Sequence, residues 1–156
     1  MRTIETTIDI DATPETVWQA LVDFESYADW NPFITEAAGS AVVGGRLRIH
    51  IQPPDGRGAT FKPAVTVADP GERLEWLGKL GVRGLFDGRH AFHLEATDDG
   101  HTRLTQREAF SGLLVGLLLD EEAIENGFEA MDEALKMRVE SGVSDVGDAG
   151  DEPLAA

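Results

Sequence analysis

A single long amphipathic helix is predicted near the end of this chain, and it restricts the possible folds more than any other feature. Four apolar residues fall at helical spacings of four, three and four: Ile124, Phe128, Met131 and Leu135. The acidic residues 120–122 precede them, where negative charge favours a helix N-terminus, and Asp132 is assigned to the opposite, polar face. About 20 helical residues would span roughly 30 Å, enough to cross a curled sheet. Because a sheet must cover its apolar face and no other predicted helix is long enough, we expect the sheet to wrap around this helix.

The chain begins with one predicted strand and two short helices. Residues 3–11 alternate between an isoleucine-rich face and a polar face, which is typical of a strand with one side in water. The pair 13–14, a capping threonine followed by proline, predicts the start of a helix. A second helical segment should stop at Trp30, because Pro32 disfavours the helical conformation for Asn31.

Period-two alternation returns at Ile34 and continues without an intervening helix. Turn signals at 44–45, 53–56 and 69–71 separate short strands, one of which is predicted over 61–67. Strands joined by such short loops favour an antiparallel meander. We therefore predict an α+β helix-grip arrangement, in which a curved antiparallel sheet of about six to seven strands wraps around the long C-terminal helix.

The two longest predicted strands are joined by the loop 98–100, which ends in glycine. The register that this loop sets places His90 opposite Glu108 and Phe92 opposite Gln106. Side-chain alternation then puts His90 and Phe92 on the concave, apolar side of the sheet.

The composition predicts one domain with a substantial core. The chain has 156 residues, 42% of them hydrophobic, and we assign residues 1–141 to a single domain and 142–156 to a disordered acidic tail. No cysteine is present, which excludes disulfides and thiolate chemistry. The N-terminus lacks a basic segment followed by an apolar run, and the longest apolar stretch, 113–119, is too short to span a bilayer. We therefore expect a cytoplasmic protein without stable membrane insertion.

The charge is strongly acidic, with 29 Asp and Glu against 13 Lys and Arg and a net charge of -16. Such a surface repels nucleic acid and anionic membranes, so no nucleic-acid partner is expected. Either the acidity reflects no special adaptation, or the protein has a halophilic-type surface adapted to high salt. Salt shortens the range of the repulsion between the negative charges of such a surface. Unfolding measured from low to high KCl concentration distinguishes these explanations.

The segment 23–33, Asp-Phe-Glu-Ser-Tyr-Ala-Asp-Trp-Asn-Pro-Phe, follows the first short helix and is rich in aromatic residues. Together with the element order, it resembles the START-related (SRPBCC) superfamily, in particular its polyketide cyclase/dehydrase-like branch. The resemblance extends from Thr3 to Glu140 and includes the segments 86–92, 102–103, 108–112 and 127–131. It implies a cavity between the sheet and the long helix that holds a hydrophobic small molecule, in a superfamily that contains lipid carriers, hormone receptors, cyclases, hydratases and chaperone co-activators.

Under this fold, most ring-bearing residues face the interior, where they either line the cavity or pack as core. The predicted ligand-binding residues are Trp18, Phe24, Tyr27, Trp30, Phe33, Trp76, His90, Phe92, Gln106, Glu108, Phe110, Phe128, Met131 and Leu135. His90 and Glu108 are also the candidate catalytic residues, because ionisable groups are costly on an apolar face unless they are paired. The pair either handles a proton or orients a ligand group, or it simply fixes the sheet register.

The leading hypothesis is a carrier or sensor that binds a hydrophobic or amphipathic small molecule, lipid-like or polyketide-like. The alternatives are a cyclase or dehydratase using His90 and Glu108, and a protein-interaction module. No cofactor is expected, and the four histidines lack metal-ligand spacing, so no metal is expected either. The apolar segment 113–119 is a lip over the cavity mouth, a dimer contact or an early turn of the long helix, which leaves monomer and homodimer both open.

Overall fold

The computed structural model describes residues 1–54 and 56–141, so the predicted tail 142–156 lies outside the described residues. The elements in chain order are β1 (Arg2–Ile10), α1 (Pro14–Val22), a 3₁₀ turn (Phe24–Ser26), α2 (Tyr27–Trp30), β2 (Ile34–Ala38), β3 (Arg48–Ile51), β4 (Ala59–Phe61), β5 (Ala64–Asp69), β6 (Arg73–Lys79), β7 (Asp87–Ala96), β8 (Thr102–Ser111), α3 (Val115–Leu118) and α4 (Glu121–Glu140). None of the described helices is long and apolar enough to cross a membrane.

The predicted α+β helix-grip fold is confirmed, with eight strands in the described residues where the sequence indicated about six to seven. Five strands form one antiparallel sheet in the order β1-β8-β7-β6-β5, and three form a second in the order β2-β3-β4. The single strand predicted over 61–67 is wrong, because β4 ends at Phe61 and β5 begins at Ala64 in the other sheet. Pro63 lies at the break, where its missing N–H removes a donor from the ladder.

The turn between α2 and β2 follows directly from the local sequence. Asn31 is extended, with φ −89° and ψ 114°, and α2 ends at Trp30 as predicted. The Asn31 side-chain oxygen accepts hydrogen bonds from the backbone N–H groups of Phe33 (2.9 Å) and Ile34 (2.8 Å). This turn directs the Phe33 ring onto α4 at Gly127, where a Cβ would overlap the ring.

The β7–β8 hairpin has the predicted register. His90 pairs with Glu108 and Phe92 with Gln106, and Gly100 adopts the left-handed conformation with φ 79°. The pairing continues across the sheet, so that Trp76 of β6 lies beside His90 in the same row. Side chains in one such row share a face of the sheet.

α4 packs against the concave face through its predicted apolar stripe. Phe128, Met131 and Leu135 are fully buried, whereas Ile124 near the start of the helix is only partly buried. The prediction that Asp132 belongs to the polar face is wrong, because Asp132 is 3% exposed. Its position four residues after Phe128 and three before Leu135 places it on the buried face.

Candidate functional site

A cavity of about 590 Å³ lies beside the first turns of α4. Its wall comes from β3, β4, β6, β7, β8, the segment that contains α3, and the loops next to them. The lining residues are Phe33, Ile49, Ile51, Pro53, Gly56, Arg57, Gly58, Ala59, Phe61, Pro63, Trp76, Gly78, Lys79, Leu80, Phe86, Gly88, His90, Glu108, Phe110, Leu118, Leu119, Asp120, Ala123 and Ile124. Most of the wall is apolar, and the exposed Arg57, Lys79 and Asp120 belong to its rim. A site with this composition suits an apolar molecule that carries a few polar groups.

Five of the fourteen residues predicted to bind ligand lie in the cavity wall: Phe33, Trp76, His90, Glu108 and Phe110. The other nine lie outside it: Trp18, Phe24, Tyr27, Trp30, Phe92, Gln106, Phe128, Met131 and Leu135. Of these nine, Trp30 is partly buried and the rest are buried in the core. The aromatic residues Phe24, Tyr27 and Trp30 are thus packed against other side chains, whereas Phe33 of the same segment reaches the cavity wall.

Sequence reasoning did not select several apolar wall residues. Ile49 and Ile51 of β3, Phe61 of β4, Phe86 before β7 and Ile124 of α4 all line the cavity. Their signal was available as alternation in the strands and as the first position of the α4 stripe. The pattern indicates which face is inward, but it does not distinguish a packed inner face from an open one.

His90 forms hydrogen bonds through both ring nitrogens. Its Nδ1 lies 2.9 Å from Glu108 Oε1, and its Nε2 lies 2.9 Å from Gln106 Oε1. The imidazole is 2% exposed, and it stacks on Trp76 with ring centroids 5.2 Å apart and an interplanar angle of 19°. The Phe128 ring packs against it in a T-shaped arrangement, with ring centroids 5.1 Å apart. These contacts hold the ring in one orientation in the cavity wall, between Trp76 and Glu108.

The hydrogen-bond chain continues from Gln106 into α4. Gln106 Nε2 donates to Asp132 Oδ1 at 2.7 Å, and the Thr6 hydroxyl donates to Asp132 Oδ2 at 2.7 Å. Burial raises the pKa of the Asp132 carboxyl to about 6, although these two hydrogen bonds and the nearby His90 oppose the increase. A continuous polar chain therefore runs from Thr6 and Asp132 through the core to Glu108 in the cavity wall.

Glu108 depends on a glycine in the neighbouring strand. A Cβ at Gly88 would overlap Glu108 Oε2, so the carboxylate lies directly over the Gly88 backbone, and both residues line the cavity. The Glu108 side chain is 14% exposed. The carboxylate therefore offers Oε1 to His90, and Oε2 is its second oxygen, beside Gly88.

Within residues 1–54 and 56–141, no group of three or more His, Cys, Asp or Glu side chains has the geometry to hold a metal ion. The cavity instead offers one carboxylate–imidazole pair in an apolar wall. Such a pair can accept a hydrogen bond from a ligand or share a proton with it.

The family described as "Polyketide cyclase / dehydrase and lipid transport" matches residues 1–140. The chain belongs to this family. No curated protein sequence matches it.

Several solved structures share the fold of this chain at low sequence identity. An aromatase/cyclase, Zhui, from a Streptomyces species is 21% identical with a TM-score of 0.72, and the match covers 94% of this chain and 98% of that one. A START superfamily protein from Mycobacterium smegmatis is 20% identical with a TM-score of 0.68, covering 89% and 97%. A hypothetical protein from Helicobacter pylori is 16% identical with a TM-score of 0.74, covering 88% of each chain. The chain therefore has a START-like fold of the polyketide cyclase/dehydrase type.

Proposed function

We propose that this protein binds a hydrophobic or amphipathic small molecule, lipid-like or polyketide-like, in the cavity and acts as a carrier or sensor. The observation that carries the proposal is the cavity itself, about 590 Å³ in volume and lined mainly by apolar side chains. Ligand pockets in proteins have this size and composition. The description of the family, which includes lipid transport, supports the same proposal.

A binding role agrees better with the geometry around His90 than an enzyme role does. Both ring nitrogens are engaged by protein groups, Glu108 and Gln106, and the ring is almost fully buried. To exchange a proton directly with a substrate, His90 would have to give up one of these hydrogen bonds, because a general base must reach the proton it abstracts. Replacing His90 with phenylalanine tests the cyclase or dehydratase alternative, which requires that turnover be lost while ligand binding persists.

Native mass spectrometry of the purified protein tests the proposed function. We expect a small molecule to co-purify with the wild-type chain and to be lost from the variant Ala123→Phe, because Ala123 lines the cavity and a phenyl ring there would fill it. Glu122→Phe is the matched control, since the exposed neighbouring residue receives the same side chain outside the cavity. An empty wild-type protein that also fails to bind added apolar probes would refute the proposal.

A further inference from the structure

We propose that the ligand of this cavity carries a hydroxyl group that donates a hydrogen bond to Glu108 Oε2. The inference rests on the proposed ligand-binding function and adds the chemical class of the group that is recognised. It follows from the donor and acceptor at each step of the hydrogen-bond chain that runs from Asp132 through Gln106 and His90 to Glu108.

The orientation of the Gln106 amide sets the direction of the hydrogen-bond chain at its buried end. Gln106 Nε2 faces Asp132 Oδ1 at 2.7 Å and also the backbone oxygen of Phe128 at 3.5 Å. A backbone carbonyl can only accept, so the amide NH₂ of Gln106 must point toward α4 and its oxygen toward His90. A flipped amide would place its oxygen against two other oxygens, which fixes the assignment of the two amide atoms.

The same logic fixes the protonation of His90. Because Gln106 Oε1 can only accept, Nε2 of His90 must carry a proton and donate it across the 2.9 Å contact. The other ring nitrogen, Nδ1, lies 2.9 Å from Glu108 Oε1. Two acceptors do not approach this closely without a hydrogen between them, so one proton lies between Nδ1 and Oε1.

The remaining oxygen of Glu108 is therefore an acceptor in either form of the pair. If the shared proton belongs to His90, Oε2 is part of a carboxylate, and if it belongs to Oε1, Oε2 is a carbonyl-type oxygen. This atom lies over Gly88, and both Glu108 and Gly88 line the cavity. A hydroxyl on an apolar body satisfies it, whereas a ligand carboxylate placed there would meet a like charge or a second acceptor.

Three naphthalene probes of similar size test the inference: 2-naphthol, its methyl ether 2-methoxynaphthalene, and 2-naphthoic acid. Binding is measured by isothermal titration calorimetry in high salt, which screens the general repulsion between the acidic protein and the acid probe. We expect naphthol to bind about tenfold more tightly than the ether, since one hydrogen bond from the ligand to this oxygen is worth about that factor, and the acid to bind more weakly than both.

Variants localise the effect to the proposed oxygen. Glu108→Leu should bring the affinities of naphthol and ether together, while Arg107→Leu, at the exposed neighbouring position on β8, should leave the ratio unchanged. Glu108→Gln is the second variant, and it tests the same oxygen if Glu108→Leu does not fold. Its amide N–H can donate to His90 Nδ1 and leave an oxygen toward the cavity, so a reduced preference for naphthol should survive.

The outcomes separate the inference from the function on which it rests. Equal binding of naphthol and ether by the wild-type protein, or tightest binding of naphthoic acid, overturns the inference and leaves the cavity a ligand site. Binding of none of the three probes overturns the proposed function together with the inference.

A measurement of the His90 tautomer tests the direction of the hydrogen-bond chain itself, without any variant in the cavity wall. Long-range proton–nitrogen NMR spectra distinguish the two ring nitrogens of histidine, and we expect a proton on Nε2 of His90. A neutral ring protonated only on Nδ1 would contradict the direction of the chain and overturn the inference.

Discussion

Replacing Asp132 with asparagine is expected to stabilise the protein at neutral pH and to change little at pH of about 4. The pKa of Asp132 is about 6 in the folded protein because burial disfavours the carboxylate, against an ordinary value of 3.8. Between these values the folded state holds a proton that the unfolded state has lost, so stability falls as pH rises through this window. A difference of about two units, at about 1.4 kcal/mol each, costs about 3 kcal/mol above pH of about 6. Asparagine has the same shape and can pair with Thr6 and Gln106, but it carries no charge.

Urea unfolding across this pH range measures the effect as the difference between the variant and the wild-type protein. The contributions of other titrating groups to the pH dependence are the same in both proteins and cancel in that difference, provided that these groups are independent of Asp132. We expect the difference to grow by about 3 kcal/mol between the acidic and neutral ends of the range. Glu133→Gln, at the exposed adjacent position of α4, is the control and should show no such growth. Parallel stability curves for Asp132→Asn and wild type would refute the argument that a buried carboxylate is being ionised at a cost.

Three further predictions concern packing, an ion pair and the cavity mouth. Gly127→Ala should lower stability by about 1–3 kcal/mol in thermal unfolding, because the new methyl group would overlap the Phe33 ring, and no loss would mean that the ring can move aside. Burial alone would raise the pKa of Glu75, but hydrogen bonds from one threonine and two arginines hold that pKa below its usual value. Glu75→Gln should therefore destabilise the protein at neutral pH and much less in acid, as measured by urea unfolding. An equal loss of stability at both pH values would contradict the ionic explanation. Replacing Leu117 and Leu118 with serine tests the exposed α3 segment: slower probe entry in stopped-flow fluorescence indicates a lip, loss of a dimer in sedimentation indicates an interface, and reduced stability alone indicates packing.

Much of the fold could be predicted because the relevant signals are local. The hairpin register depends on three loop residues, 98–100, and once it is set every partner across β7 and β8 is determined. The end of α2 depends on Pro32, and the length of α4 follows from its apolar spacing. The split of the strand at Pro63 was a local signal too, but alternation on both sides of the proline outweighed it in the prediction.

The site was predicted less completely because an open volume depends on packing over the whole molecule. Alternation correctly brings His90 and Glu108 together, since these residues are opposed in one hairpin. It does not show that Phe92 is fully buried in the core while Phe86 lines the cavity. Such differences depend on how closely α4 and the second sheet pack against each part of the inner face of the five-stranded sheet. No single segment of the sequence determines that packing.

The buried polar chain connects the stability argument to the ligand argument. A sequence selected only for a stable core would place apolar side chains at Asp132, Gln106 and His90, because burying a carboxylate costs free energy even when it is hydrogen-bonded. The cost expected at Asp132 is not recovered through packing, but the Asp132 carboxylate and the Phe128 backbone oxygen together determine which atom of Gln106 faces His90, and hence the protonation of the ring beside Glu108. A local loss of stability that fixes the polarity of a cavity wall is characteristic of functional sites. If Asp132→Asn proves more stable and His90 no longer keeps its proton on Nε2, the carboxylate will be identified as a residue that positions the binding site at a cost in stability.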